Sequence, residues 1–195
     1  MSNLILASSS AYRKMLLQRL NIDFSCYSPD IDESPNPQES PKALAQRLST
    51  DKARAGADRF PGAIVIGSDQ VAELNGKILG KPGTYEHAQQ QLRAQSGQAV
   101  LFHTGLALEQ HLPDGNIKQM QLVDTTEVCF RQLEDSQIAR YLQREQPYDC
   151  AGSFKAEGLG ISLFTNIASQ DPSSLIGLPL ISLCTALQEF GVEVL

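Results

Sequence analysis

Short apolar runs alternate along the chain with longer segments in which apolar residues recur at helical spacing. The runs that predict strands are apolar or β-branched and cover residues 4–7, 24–27, 63–71, 100–108, 121–130 and 160–167. The segments that predict helices cover residues 11–20, 41–60, 85–92 and 135–144, with a last helix opened at 171–174 and ended by Gly191. Asn75-Gly76 predicts a hairpin turn. This alternation predicts an α/β fold with a mixed sheet.

The junction between the first strand and the first helix is the most informative local pattern. Three serines, Ser8 to Ser10, separate the strand from a cationic helical segment that carries Arg13. A helix start presents unpaired backbone N–H groups and a partial positive charge, so it suits an anion, and these side chains would add donors. The plainer alternative is that Ser9 or Ser10 only caps the helix.

Charge and cysteine content narrow the function classes. The chain has 195 residues, which suits one domain or two lobes around a cleft, and its formal charge is −6. A nonspecific grip on nucleic acid needs a basic face, so a nucleic-acid partner is not expected. The four cysteines are scattered without a CxxC pair, and no apolar stretch is long enough for a membrane span. We therefore expect a soluble, cytoplasmic protein without a membrane partner.

Two acidic positions stand where carboxylates could do chemistry. Asp69 follows the β-branched run 63–66 and is expected at the open carboxyl end of that strand, where α/β proteins bind ligands. Asp32 and Glu33 lie in a proline-rich loop, at which carboxylates are either hard-cation ligands or merely solvated. For Asp69 the alternative is a turn cap.

Single cations stand near glycine, proline or loop positions. They are Arg13, Lys52, Lys81 and Lys155, and Lys52, in the middle of a helix, would by default be solvated. An anion site, several lysines and two carboxylate-bearing segments together predict a metal-assisted phosphate site. The three histidines share no ligand spacing, and neither a P-loop nor a dinucleotide-binding glycine pattern occurs.

Seven spaced motifs resemble those of the Maf family of nucleotide pyrophosphatases. They are Leu-Ile-Leu-Ala-Ser-Ser-Ser-Ala-Tyr-Arg at 4–13, Asp-Glu at 32–33, Asp-Lys-Ala at 51–53, Gly-Ser-Asp-Gln at 67–70, Gly-Lys-Pro at 80–82, Ala-Gly-Ser-Phe-Lys-Ala-Glu-Gly at 151–158 and Ile-Gly-Leu-Pro-Leu at 176–180. Ala11 departs from the family, which commonly has proline there. The resemblance implies one Maf-like domain over residues 1–195, with an elongated mixed sheet flanked by helices. It also implies two lobes around a central cleft, similar to inosine triphosphate pyrophosphatase, and often a homodimer.

The resemblance also implies an activity and a site. The family hydrolyses a nucleoside triphosphate to the monophosphate and pyrophosphate with a divalent cation, Mg²⁺, Mn²⁺ or Co²⁺. Asp69 would accept the proton of the attacking water, and Glu33 would bind metal or water together with Asp69. Phosphate contacts would come from the side chains Ser8, Arg13, Lys52, Lys81 and Lys155.

Three positions resemble the YceF-type branch, which is associated with 7-methyl-GTP: Tyr12, Gln70 and Glu157. A carboxylate at 157 could accept both guanine N–H donors and favour the cationic 7-methylguanine, and Tyr12 could stack on that base. We therefore expect hydrolysis of 7-methyl-GTP to 7-methyl-GMP and pyrophosphate. The alternatives are a Maf enzyme for dTTP, UTP or another modified nucleotide, or a nucleotide-binding regulator of cell division that does not hydrolyse its ligand.

Overall fold

The computed structural model describes residues 3–195 and contains seven strands and five α-helices within that range. The strands are β1 (Leu4–Ala7), β2 (Ser25–Tyr27), β3 (Ile64–Leu74), β4 (Lys77–Leu79), β5 (Ala99–His111), β6 (Ile117–Phe130) and β7 (Phe164–Ala168). The helices are α1 (Ala11–Gln18), α2 (Pro41–Arg59), α3 (Tyr85–Gln95), α4 (Asp135–Glu145) and α5 (Leu180–Glu189). No helix among these residues has the length and hydropathy needed to cross a bilayer.

The strands form a mixed sheet, as predicted. Six of them pair in the order β2-β1-β3-β5-β6-β7, and β4 pairs with β3. β1 is parallel to both β2 and β3, whereas β3–β4 and β6–β7 are antiparallel. The prediction of an α/β fold with a mixed sheet flanked by helices is therefore confirmed.

The chain divides into two compact units. The first comprises the chain up to Gln70 together with Thr104–Asp124 and Asp171–Leu195, and the second comprises Val71–His103 and Thr125–Gln170. In the first unit, buried side chains of β1, β3, β5, α1 and α5 form the main core, with residues such as Leu6, Ile66, Leu106 and Leu183. In the second unit, four phenylalanines pack edge to face: Phe102, Phe130, Phe154 and Phe164.

Helix α2 packs unusually close to the sheet of the first unit. A Cβ atom at Gly67 of β3 would overlap the Ser49 carbonyl oxygen and lie 2.6 Å from the Ala53 nitrogen. A Cβ at Gly105 of β5 would likewise overlap the Ala45 carbonyl oxygen. Because both strand positions lack a side chain, the backbone of α2 rests directly on them, and the next turn of the helix lies beside the continuation of β3.

The hairpin and most helix boundaries agree with the sequence pattern. Asn75 and Gly76 both have positive φ, as a two-residue hairpin turn between β3 and β4 requires. Ser40 caps α2 by accepting a hydrogen bond from the Ala43 nitrogen, with Pro41 as the first helical residue.

Several predicted boundaries are wrong; the strand predicted from residue 121, for example, begins at Ile117. β3 does not end at 71 but continues to Leu74, so Asp69 lies inside the strand and not at its open carboxyl end; the polar side chains find partners within the fold, and apolar residues resume at Val71. Residues 159–163 form a 3₁₀ helix, so the strand predicted at 160–167 begins only at Phe164. The final helix begins at Leu180, because the short 3₁₀ turn Ser174–Ile176 ends at Gly177, whose φ is 121°.

Candidate active site

An ion-paired cluster lies where α2 meets β3 in the first unit. The Lys52 ammonium nitrogen is 2.6 Å from Asp69 Oδ1 and 2.6 Å from Glu33 Oε1. The Lys52 and Asp69 side chains are nearly buried, whereas that of Glu33 is 59% exposed. The arrangement therefore places two carboxylates around one cation, with one carboxylate inside and the other at the surface.

The close packing of α2 explains why Lys52 is not solvated. Lys52 is one turn beyond Ser49 on the face of α2 that rests on the sheet, and only 8% of the residue is exposed. The default expectation of a solvated mid-helix lysine is therefore wrong. A buried ammonium is costly unless it is paired, and the two carboxylates provide that pairing.

Arg13 is anchored at the strand-to-helix junction. Its Nε donates to the Gly177 carbonyl oxygen at 2.9 Å, and its Nη1 donates to Ser8 Oγ at 3.3 Å. Burial lowers the pKa of Arg13, and the negative charges of Asp69 and Glu33 oppose that shift. The guanidinium thus belongs to the same electrostatic environment as the Lys52 cluster.

The serines at the junction have different roles. The sequence left open whether they cap the helix or contribute to an anion site. Ser10 caps α1 by accepting from the Arg13 backbone nitrogen at 3.3 Å. Ser8 is buried at the end of β1, and its hydroxyl oxygen accepts from both the Ser10 nitrogen and the Arg13 side chain. Ser10 is therefore the helix cap, and Ser8 lies beside the predicted phosphate-binding arginine.

The loop that carries Glu33 is held by Arg47 of α2. The Arg47 guanidinium binds both carboxylate oxygens of Glu39, at 2.8 and 3.0 Å, and donates to the Ser34 carbonyl oxygen at 2.9 Å. Glu39 in turn accepts from the Asn36 nitrogen at 2.9 Å. Arg47 thus ties α2 to the loop at Ser34, the residue after Glu33, and at Glu39. Asp32 does not join the ion pair, and its Oδ1 accepts from the Ser34 nitrogen.

Gln70, predicted to govern specificity, binds the segment that precedes α5. Its amide nitrogen donates to the carbonyl oxygens of Ser174 and Leu175, at 2.9 and 3.1 Å, and lies 3.0 Å from Thr104 Oγ1. The neighbouring Ser68 hydroxyl donates to the Gly177 carbonyl oxygen at 3.0 Å. The amide of Gln70 therefore has a structural role, and its effect on specificity stays a prediction.

Three predicted site residues lie in the second unit. Lys81 follows β4 and is exposed, Lys155 is half-buried after a 3₁₀ turn, and Glu157 is exposed in the next turn. The Lys155 carbonyl oxygen accepts from Gly158 and Gly160, and its backbone nitrogen donates to the Tyr141 hydroxyl at 3.1 Å. The turn that carries Glu157 is therefore ordered by backbone hydrogen bonds.

The sequence pattern missed several residues that support these elements. Arg47, Ser68, Asp171 and Ser173 were not singled out as site residues, although Asp171 and Ser173 were expected to open a helix. Glu73 and His103 of the second unit form a further pair, with His103 Nε2 2.9 Å from Glu73 Oε2. Ser68 and the Glu73–His103 pair act through partners distant in sequence, and the partners of Arg47, Asp171 and Ser173 become evident only from the folded loops and turns.

The sequence model of the family described as Maf-like protein matches residues 3–190. A protein of Xanthomonas axonopodis pv. citri named 7-methyl-GTP pyrophosphatase is 53% identical over 194 residues, which is 100% of both chains. One of the same name from Pseudomonas fluorescens is 56% identical over 190 residues, 97% of each chain.

Solved structures share the fold at low sequence identity. The HAM1 protein of Coxiella burnetii has a TM-score of 0.56 and 18% identity, covering 97% of this chain and 100% of its own. The Ham1 protein of Staphylococcus aureus has a TM-score of 0.51 and 15% identity with the same coverage. These structures agree with the expected fold. The match of the family model over nearly the whole chain, and the full-length relatives, show that the chain belongs to the Maf-like family.

Proposed function

We propose that the protein is a nucleoside triphosphate pyrophosphatase, a hydrolase of phosphoric anhydrides, that converts 7-methyl-GTP to 7-methyl-GMP and pyrophosphate. The observation that carries this proposal is the contact of the Lys52 ammonium with both Asp69 and Glu33. It combines a carboxylate that can accept a proton with a fixed cation, and both groups accelerate the cleavage of a phosphoric anhydride. Full-length relatives named 7-methyl-GTP pyrophosphatase support the same activity.

Asp69 acts as the general base in this proposal. Its Oδ1 is held by Lys52, so the carboxylate has a fixed orientation when it binds a water molecule. Asp69 orients that water and takes its proton as the oxygen attacks phosphorus, at the α-phosphate. The anhydride bond to the β-phosphate breaks, and its electron pair leaves with pyrophosphate.

Lys52 and Arg13 neutralise the charge of the phosphates. Both are side chains with positions fixed by hydrogen bonds in the free protein, so little reorganisation is required when the triphosphate binds. The Ser8 hydroxyl adds a donor at the same junction. Lys81 and Lys155 are expected from the family resemblance to add further positive charge, and their substitution tests that expectation.

A divalent cation fits the donor set of the first unit. Glu33 and Asp69 supply carboxylate oxygens directed at one positive group, and hard cations such as Mg²⁺ or Mn²⁺ prefer such oxygens. No group of three or more metal-ligating side chains exists among residues 3–195. Glu33 and Asp69 would therefore hold the ion, with phosphate oxygens and water as its other ligands, as is usual for Mg²⁺ at nucleotide sites. The ion would polarise the phosphate oxygens.

The substrate assignment rests on Glu157 and Tyr12. A carboxylate at the exposed turn position 157 can accept the two N–H donors of guanine and interacts favourably with the positive charge of 7-methylguanine. Tyr12 is half-buried in the first turn of α1, beside Arg13, and offers an aromatic face for a cationic base. Gln70 would act on specificity through the segment that it binds.

The cellular setting is proposed from the same chemistry. All four cysteines are free thiols, as is usual in a reducing compartment, and a nucleotide substrate is available in the cytoplasm. We assign the protein to that compartment, with a small-molecule partner and no nucleic-acid partner because its net charge is −6. A homodimer is proposed from the family resemblance alone.

Pyrophosphate release tests the proposed reaction. The wild-type protein, with 7-methyl-GTP and Mg²⁺ or Mn²⁺, should release pyrophosphate and 7-methyl-GMP in equal amounts, with no inorganic phosphate. Asp69→Asn should lower kcat by about 10²–10⁴-fold, the usual loss for a general base, while circular dichroism and thermal unfolding show a folded protein. Release of orthophosphate, or tight binding without turnover, would favour a different hydrolase or a nucleotide-binding regulator.

A further inference from the structure

The segment from Asp171 to Leu178, which we call the clasp, lies between β7 and α5 and belongs to the first unit. Three of its carbonyl oxygens accept hydrogen bonds from polar side chains of α1 and β3. Gly177 O accepts from Arg13 Nε at 2.9 Å and from Ser68 Oγ at 3.0 Å. The Ser174 and Leu175 carbonyl oxygens accept from Gln70. The backbone of the clasp is therefore part of the surroundings of Arg13.

The Gly177 carbonyl reaches Arg13 only because the backbone at Gly177 adopts a conformation that favours glycine. Gly177 has a φ of 121°, in the region that favours glycine, and a Cβ there would lie 3.6 Å from Arg13 Nε. The direction of this carbonyl depends on the turn on either side of it. A change in that turn would move the acceptor away from Arg13 without touching Arg13 itself.

A buried carboxylate fixes that turn. Asp171 is 3% exposed, and its Oδ1 accepts from the Ser173 nitrogen at 2.9 Å and from the Ser173 hydroxyl. Its Oδ2 accepts from the Ile181 nitrogen in the first turn of α5 at 2.7 Å. The carboxylate thus ties the beginning of the clasp to the helix that follows it, across ten residues.

Ser173 also connects the beginning of the clasp to its end. Its hydroxyl oxygen accepts a hydrogen bond from the Leu180 nitrogen. The same oxygen lies 2.8 Å from the carbonyl oxygen of Leu178, which directly follows Gly177. Two N–H groups at the start of α5 are therefore satisfied by Asp171 and Ser173 and not by a neighbouring cap. The same contacts hold Gly177 between two fixed points.

We propose that Asp171 and Ser173 are positioning residues that direct the Gly177 carbonyl at Arg13 and so set the grip of Arg13 on the substrate triphosphate. The inference rests on the proposed function, because it assigns Arg13 to the phosphates. Both residues act through the Gly177 carbonyl in this proposal, and it requires no contact between them and the substrate. A guanidinium held by the clasp at Nε and by Ser8 at Nη1 has a fixed orientation before the triphosphate binds, whereas a released side chain must be ordered at each binding event.

A double-mutant cycle with Arg13 tests the inference on the full chain. The variants are Asp171→Asn, Ser173→Ala and Arg13→Ala, with 7-methyl-GTP and Mg²⁺ at a temperature well below the unfolding midpoint. Asp171→Asn and Ser173→Ala should each raise KM about tenfold, the size of coupling seen within one hydrogen-bond network, with a smaller change in kcat. In the Arg13→Ala background the same substitutions should change KM less than about twofold, because the residue through which they act is gone.

Two controls separate positioning from stability. Leu183→Ala removes a buried side chain of α5 from the core that Leu178 also joins, but it changes no hydrogen-bonding group of the clasp, so it should lower the unfolding midpoint while leaving KM unchanged. Ser173→Thr keeps the hydroxyl and should recover most of the loss caused by Ser173→Ala. Equal losses with and without Arg13, or a KM rise in Leu183→Ala, would overturn the inference. A wild-type protein that releases no pyrophosphate would instead overturn the proposed function.

Discussion

Lys52 Nζ lies 2.6 Å from Asp69 Oδ1, although the two residues come from different elements, the middle of α2 and the middle of β3. The contact depends on Gly67, two residues before Asp69, which allows the helix backbone to rest on the strand. The chemistry of the candidate site is therefore tied to the packing of the core. A change in either should be visible in both activity and stability.

Removal of the Lys52 side chain should lower both the activity and the stability of the protein. Lys52→Ala leaves the Asp69 carboxylate buried without its cation, which typically costs about 3–5 kcal/mol for a fully buried pair, and we expect less here because Glu33 is exposed. The double variant Lys52→Ala/Asp69→Asn should be more stable than Lys52→Ala, yet inactive. Urea unfolding measures this difference. Lys42→Ala, at an exposed position of α2, is the control, and equal stability of the single and double variants would contradict the buried-pair description.

Gly67→Ala should separate α2 from β3. The added methyl group would overlap backbone atoms of Ser49 and Ala53, and such overpacking usually costs about 1–3 kcal/mol. If the helix moves away, Lys52 also moves from Asp69, so kcat should fall together with the unfolding midpoint. Gly80→Ala, where no heavy atom lies within 4 Å of the new Cβ, should keep the wild-type midpoint. Full stability of Gly67→Ala would show that the close packing is not required.

The Arg47–Glu39 pair, which holds the loop that carries Glu33, predicts that the stability of the protein depends on pH. Hydrogen bonds from Arg47 and the Asn36 nitrogen lower the pKa of Glu39 below its ordinary 4.5. A carboxyl group whose folded pKa is lowered contributes stability above its unfolded pKa and loses it as pH falls through the folded value. Glu39→Gln should therefore lower the unfolding midpoint at pH 7 and have little effect near pH 3. Glu193→Gln, exposed near the chain end, is the control, and a loss that persists at pH 3 would contradict this origin.

Asp124 predicts a pH dependence of stability opposite in direction to that of Glu39. Burial raises the pKa of its carboxyl group, the nearby Ser174 hydroxyl opposes that shift, and the negative charge of Asp171 adds to it. A raised folded pKa means that the ionised group destabilises the fold above that pKa, and the effect vanishes below the unfolded pKa. Asp124→Asn should thus raise the unfolding midpoint at pH 7 and leave it unchanged near pH 3. A lower midpoint at pH 7 would indicate that the charge has a stabilising partner.

The sequence predicts those parts of the fold that depend on neighbours in the chain. The hairpin at Asn75-Gly76 and the cap at Ser40-Pro41 are local events, and both occur as expected. The strand predicted over 63–71 ends three residues short of β3, because the polar residues 68–70 resemble an open strand end. A polar residue inside a buried strand can be recognised only when its partner, here Lys52, is known.

The candidate site also contains residues that the sequence predicts and residues that it does not. Asp69, Glu33 and Lys52 were predicted by residue type and family resemblance, and the structure brings these three together. The clasp could not be foreseen, because Asp171 acts on Arg13 through the Gly177 carbonyl, 164 residues along the chain from that arginine. Such coupling leaves no periodic or compositional signal. It follows only from the folded arrangement of the backbone.

The preference of the enzyme among nucleotides is the most stringent test of 7-methyl-GTP as its substrate. Values of kcat/KM for 7-methyl-GTP, GTP, dTTP and UTP should be measured with the wild-type protein and with Glu157→Gln, under one metal concentration and with pyrophosphate as the detected product. We expect the highest value for 7-methyl-GTP, and Glu157→Gln should reduce that preference more than it reduces turnover of UTP. A wild-type preference for dTTP or UTP would contradict the assignment to 7-methyl-GTP.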